Sequence, residues 1–173
     1  RAVARCLPIK KPAVGVDILL LDLEDFGEHA NWRGSAPDSW GLGSQYWAKT
    51  PHKPDYRARL GILLDMVGAK DLKLRKDGEF AAAWLNDLVW ATAKKMGHGA
   101  TFIDLPGDVG GDDHQPFSQA GVPTIDLIDL HDYPEWHTKD DDLDHVSARS
   151  LQIVGDVLLA SLPEIEKRLL SGR

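Results

Sequence analysis

Four short apolar runs, at residues 16–21, 58–67, 101–103 and 122–128, are separated by stretches of helical period. This alternation constrains the fold more than any other feature of the sequence. Apolar runs of this length suit strands covered on both faces, and parallel strands need crossover segments between them. The intervening stretches supply them. Residues 42–49 form a short helical pattern stopped by Pro51 and Pro54. From Glu79, a helix is expected with Phe80, Trp84 and Leu88 four apart and Leu85, Val89, Ala93 and Met96 in the adjacent row; Gly97 and Gly99 are its C-cap candidates. Residues 115–120 make a turn or two of helix. Ser147 is a plausible N-cap for a last helix presenting Leu151, Val154, Leu158 and Leu162, kinked or restarted at Pro163. A short strand at residues 72–74 is a further option. The expected fold is α/β, in three layers, with a mostly parallel or mixed sheet and helices on both faces. No linker or repeat divides the chain, so residues 1–173 read as a single domain.

Charge narrows the partners. Twenty Lys and Arg against 27 Asp and Glu give a net charge of −7, and the basic residues are scattered. A nucleic-acid groove needs clustered cations, so no nucleic-acid partner is expected. The longest apolar stretch, residues 16–21, is too short to span a bilayer. Cys6 is alone, which excludes an internal disulfide. Ala2, Val3, Ala4 and Cys6 resemble the tail of a helix, and the chain is expected to be N-terminally truncated.

In open α/β sheets ligands collect where strands end, and the acidic residues cluster there. Glu24 and Asp25 sit together at a strand exit, where one carboxylate can hold a metal while its neighbour moves a proton. A solvated acidic loop is the plainer reading of that pair taken alone. Asp65 ends an apolar strand and needs a partner there. Asp112-Asp113-His114 follows a glycine-rich loop, at a position that suits either a pocket or a helix cap. His137 lies between Trp136 and a run of aspartates that reads as a solvated turn; imidazole is a common zinc ligand and a neighbouring carboxylate orients it. The other histidines at 29, 52, 98, 131 and 145 read as structural or solvated. Residues 26–40 form a long loop. Trp32, Trp40 and Trp136 fall in loops near the presumed site, whereas Trp47, Trp84 and Trp90 lie on helical patterns and read as packing residues.

Taken in order, Leu21-Asp22-Leu23-Glu24-Asp25, Leu63-Leu64-Asp65-Met66-Val67-Gly68-Ala69, Asp112-Asp113-His114-Gln115-Pro116-Phe117, Ala120-Gly121-Val122-Pro123 and Trp136-His137-Thr138 resemble the glutaminyl-peptide cyclotransferases, relatives of the zinc aminopeptidases. Several motifs agreeing in order and spacing are far more specific than any one. The resemblance implies a zinc aminopeptidase-like fold lacking its first strands, one zinc ion, and a peptide substrate with N-terminal Gln. It implies Asp25 and His137 as zinc ligands, Glu24 as acid/base, Asp65 and Asp112 as the catalytic network behind it, and Trp136, Asp126 and Trp40 around the substrate pocket. Paired acids at 112–113 and Trp136 before His137 favour cyclotransferases over aminopeptidases. Asp25 stands where animal members have a glutamate, a swap that zinc tolerates because either carboxylate binds it, and Asp126 stands where they have a histidine, as is expected of bacterial-type members. The third ligand the resemblance implies, an aspartate ahead of residue 14, is absent, so this chain alone is expected to be inactive. An extracytoplasmic location is expected from the same resemblance. The competing readings are a metal-dependent aminopeptidase of the same fold and a non-catalytic binding domain that retains the pocket.

Overall fold

Two parallel strand pairs carry the structure, a computed structural model that describes residues 12–27, 39–78 and 82–171. Strand β1 (Gly61–Leu64) pairs in parallel with β4 (Thr124–Leu127), Gly61 opposite Thr124 and Leu64 opposite Leu127. Strand β2 (Leu74–Asp77) pairs with β3 (Phe102–Gly107), with the register shifting between Arg75 and Lys76. β2 also packs beside β4, and Lys73 donates its backbone N–H to Asp129 just beyond β4 at 3.0 Å. Gly61 permits the first pairing, because a Cβ there would lie 2.7 Å from the Thr124 hydroxyl.

The helices are α1 (Leu42–Lys49), α2 (Ala83–Lys95), α3 (His114–Gln119) and α4 (Ala148–Ser171). All four residues of β4 are buried, and strand alternation sends them to opposite sides. Ile125 and Leu127 enter a core with Leu74, Leu85, Val89, Trp90, Val154 and Val157, so α2 and α4 cover that face. Asp126 points at His114 of α3, and α3 packs on β4, β1 and α1. The sheet region thus has helices on both faces, the expected α/β arrangement.

Local details follow from side-chain chemistry. Trp90 combines burial with a hydrogen bond from its indole N–H to the Ile103 carbonyl at 2.9 Å, and Trp84 carries Arg168 over its ring. Trp47 packs against Tyr56 and Phe117. Ser147 caps α4 through its hydroxyl, which accepts from the Ser150 N–H at 3.3 Å. Gly97 takes the left-handed conformation after α2.

Several expectations need correction. The run at residues 16–21 forms no strand; Val16, Ile18 and Leu20 are 40%, 54% and 95% exposed. An apolar sequence becomes a strand only when another backbone takes its ladder bonds, and no described residue pairs with this one. Its continuation instead serves α1. The carbonyls of Asp22, Leu23 and Glu24 accept the backbone N–H groups of Gly43, Leu42 and Gly41, filling needs that a helix start cannot meet internally. A Cβ on Gly43 would lie 2.5 Å from the Asp22 carbonyl oxygen, so this close approach requires glycine. The helix expected from Glu79 begins at Ala83; Glu79 and Phe80 lie outside the described residues, as do Cys6, His29, Trp32 and most of the 26–40 loop. The possible strand at 72–74 starts at Leu74 and runs through the charged residues to Asp77. α4 continues through Pro163, and its buried face is Ser150, Val154, Val157, Leu158, Ser161 and Ile165, with Leu151 47% exposed.

Candidate active site and metal-ligating residues

Strand direction gathers the acids. Asp65 follows β1, Asp77 closes β2, Asp112 and Asp113 lie between β3 and α3, and Asp126 lies within β4. These are positions at or near the carboxyl ends of parallel strands, where such sheets present their ligand sites.

Glu24 and Asp25 open a single 3-10 turn, Glu24–Phe26, anchored to the start of α1 by the backbone bonds described above. Leu23 enters this turn with φ 55°, Met66 follows Asp65 with φ 49°, and His137 itself has φ 57°. Non-glycine residues in the left-handed region cost about 1 kcal/mol or more each, and such strain concentrates at functional sites. Three of the four described non-glycine residues with positive φ are therefore at, or next to, expected site residues.

His137 Nε2 lies 3.1 Å from Asp25 Oδ2, both side chains being partly exposed. The Trp136 ring stacks on the His137 imidazole at 4.2 Å between centroids, inclined by 27°. It is 44% exposed, a wall open on one side. Trp40 is 38% exposed and precedes Gly41, whose N–H meets the Glu24 carbonyl at 2.9 Å.

The carboxyl groups perturb one another. Burial, followed by repulsion from Asp25, Asp112, Asp65 and Asp113, pushes Glu24 up to about 7. Burial and the adjacent Asp126 push Asp112 up to about 8. Asp126 is raised to about 7 by burial, while a hydrogen bond from Asp112 works in the opposite direction. Asp112 is raised the more of the two, so a proton shared between them favours Asp112. Burial also raises Asp65, against the pull of the Met66 N–H that its Oδ1 accepts at 2.9 Å. The arrangement brings Glu24, Asp25, Asp65 and Asp112 within electrostatic reach of one another, with His137 on Asp25.

Asp126 departs from its expected place on a pocket wall. It is fully buried, because β4 is covered on both faces, and it stands behind Asp112 without reaching the surface. Sequence reasoning left His114 open, within a motif suited to either a pocket or a helix cap, and passed over Asp77. His114 is fully buried, with Nδ1 3.3 Å from Asp126 Oδ2 and Nε2 3.6 Å from Asp77 Oδ2. One ligand-type atom from each of Asp112, His114 and Asp126 falls within 4.8 Å of the others, a second grouping of metal-ligand type. The signal available for Asp77 was an aspartate three residues beyond the possible strand at 72–74.

An α/β scaffold that gathers acidic groups at the ends of parallel strands, with an Asp–His pair in the loops beside them, is of the metallopeptidase-like class. The chain belongs to peptidase family M28, whose family model matches residues 2–162. It is 28% identical over 134 residues to aminopeptidase YwaD of Bacillus subtilis, an alignment that takes in 73% of this chain and 30% of that protein. It is similar in structure to a glutaminyl cyclase of Bacteroides thetaiotaomicron solved with N-acetylhistamine: 41% identity and a TM-score of 0.85 over 92% of this chain and 57% of that one. A Zn-dependent exopeptidase of Parabacteroides distasonis gives 38% identity and a TM-score of 0.85 over 92% of this chain and 58% of that one. The chain therefore spans under a third of the curated relative and a little over half of these solved structures.

Proposed function

We propose that the whole protein is a zinc-dependent glutaminyl-peptide cyclotransferase, closing the N-terminal glutaminyl residue of a peptide to pyroglutamate with release of ammonia. The observation that carries this reading is Glu24, with its carboxyl raised to about 7, beside the Asp25–His137 pair at 3.1 Å. The pair fits zinc. Two tetrahedral ligand atoms, each about 2.0 Å from the ion, stand roughly 3.3 Å apart, close to the separation found here. Asp25 and His137 would be two of the three protein ligands that a catalytic zinc takes. Bound zinc supplies Lewis-acid polarisation of the side-chain amide carbonyl.

The chain's own residues move the proton. Glu24 accepts it from the α-amine as that nitrogen bonds to the side-chain carbonyl carbon, then returns it to the amide nitrogen. The carbon–nitrogen bond to that nitrogen breaks and ammonia leaves. A carboxyl group poised near neutrality suits both halves of this exchange. Asp112 and Asp65 lie within electrostatic reach of Glu24 and bias its orientation. Trp136 offers an aromatic wall to the substrate's side chain. The resemblance in sequence, through the paired acids Asp112-Asp113 and Trp136 before His137, supports cyclisation over peptide hydrolysis.

A second reading, removal of an N-terminal amino acid with Glu24 activating water, draws support from the likeness to an aminopeptidase. One assay separates the two. The whole protein with zinc is incubated with a synthetic peptide beginning in Gln, and the products are followed by mass spectrometry together with ammonia. Ammonia in step with a pyroglutamyl peptide is expected; free glutamine and a shortened peptide would replace cyclisation by hydrolysis. An extracytoplasmic location belongs to the same proposal. Among the described residues, no helix is long and apolar enough to cross a membrane.

A further inference from the structure

Behind Glu24 lies a chain of polar groups that the proposed reaction does not itself use. Asp77 at the end of β2, His114 at the start of α3 and Asp126 in β4 are 2%, 0% and 0% exposed. The His114 ring lies between the two carboxyl groups, 3.3 Å from Asp126 through Nδ1 and 3.6 Å from Asp77 through Nε2. An ionised carboxylate only accepts hydrogen bonds. A ring that faces one on each side, at ion-pair distance, is favoured with a proton on each nitrogen.

β2, β4 and the approach to α3 all bring negative groups to the ring, whereas α1 brings none. Asp77 comes from β2, Asp126 from β4, and Asp112 and Asp113 from the approach to α3, while Asp65 after β1 acts on both Asp112 and Asp126. Without a cation among them these buried carboxylates would repel one another at low dielectric. Asp126 meets His114 on one side and Asp112 on the other, and Asp112 acts on Glu24.

We propose that His114 is a positioning residue for Glu24: an imidazolium clamped between Asp77 and Asp126 that fixes the Asp126 carboxyl against Asp112, and through it the acidic group around Glu24. The clamp also joins β2 to β4 beneath α3, at a place where the two strands pack together without forming one ladder. The proposal rests on the functional reading only in taking Glu24 as the acid/base. The charge on His114 stands apart from it.

The test uses the whole zinc-loaded protein labelled with 15N in its histidine rings. Long-range proton–nitrogen spectra are recorded from pH 6 to 8.5, the His114 signals being identified by their loss in His114→Gln. Both ring nitrogens are expected at protonated positions throughout, and Asp126→Asn is expected to shift them. A ring with one bare nitrogen, or one that signals a metal bonded at Nδ1, overturns the clamp. In parallel, His114→Gln and the near-isosteric Asp126→Asn are expected to lower kcat by about tenfold or more with KM within about twofold, as loss of an orienting partner does. A folded Asp126→Asn protein with unchanged kcat overturns the positioning role. Should the wild type neither cyclise nor hydrolyse peptides, the functional reading fails, and the ring signals still decide for or against the imidazolium.

Discussion

Asp25 and His137 stand 112 positions apart in sequence, yet Asp25 Oδ2 and His137 Nε2 are 3.1 Å apart in the fold. Neither residue lies in regular secondary structure: one is in a 3-10 turn tied to α1, the other a left-handed residue in the loop after β4. If the pair ligates zinc, Asp25→Asn and His137→Ala should each weaken zinc binding by about 100-fold or more, since a lost ligand costs at least as much as a lost supporting partner. Competition against a chelator of known affinity measures this. Unchanged affinity in both variants would remove these two residues from the metal site.

Glu24 carries the proton in the proposed reaction. Glu24→Gln keeps the size and removes the titratable group, so kcat should fall by about 10²- to 10⁴-fold while zinc content stays at the wild-type level. The variant should be at least as stable as the wild type, because a half-buried carboxyl among four others costs free energy to ionise. Rate, zinc content and thermal midpoint together separate this outcome from misfolding. A near-normal rate would be incompatible with Glu24 as acid/base.

The sequence made the α/β alternation legible because burial leaves a period behind. Leu85, Val89 and Ala93 read as one helix face and are all fully buried, and residues 122–128 contain a strand buried on both sides. Asp65 was recognisable by its cost, as a carboxylate ending an apolar run. The run at 16–21 was misleading because its composition cannot reveal whether a neighbouring backbone exists. Asp77 was illegible, and His114 legible only within an ambiguous motif, for a different reason. Each looks ordinary locally, and they matter only because β2, β4 and α3 converge, which no spacing rule encodes.

The raised carboxyls predict how stability varies with pH in the metal-free protein. Asp112 near 8 and Asp126 near 7 in the folded state both lie above the usual carboxylate value of 3.8. Between roughly pH 4 and 8 the folded protein therefore binds more protons than the unfolded chain, and stability must fall as pH rises. The contribution is complete below the unfolded values and disappears as pH passes through the folded ones. Denaturant unfolding at pH 5.5, 7 and 8.5 should show a steady decline, flatter in Asp112→Asn. Stability that rises across this window would contradict the shared proton.

Leu23 offers a test of whether backbone strain serves the site. Its φ of 55° directs the chain into Glu24, and its side chain is 51% exposed, so truncating it forfeits little packing. Glycine accepts the left-handed conformation without a Cβ penalty, whereas a β-branched residue there is a true outlier. Leu23→Gly should leave stability unchanged or raise it by up to about 1 kcal/mol, and Leu23→Val should lower it by about 1 kcal/mol or more. If the leucine also holds Glu24 in register, the glycine variant should lose kcat despite its intact fold, because the added backbone freedom falls directly on the acid/base residue. Thermal unfolding and steady-state rates on the same samples decide the point: equal kcat in Leu23→Gly and wild type would mean that the strain is incidental to catalysis.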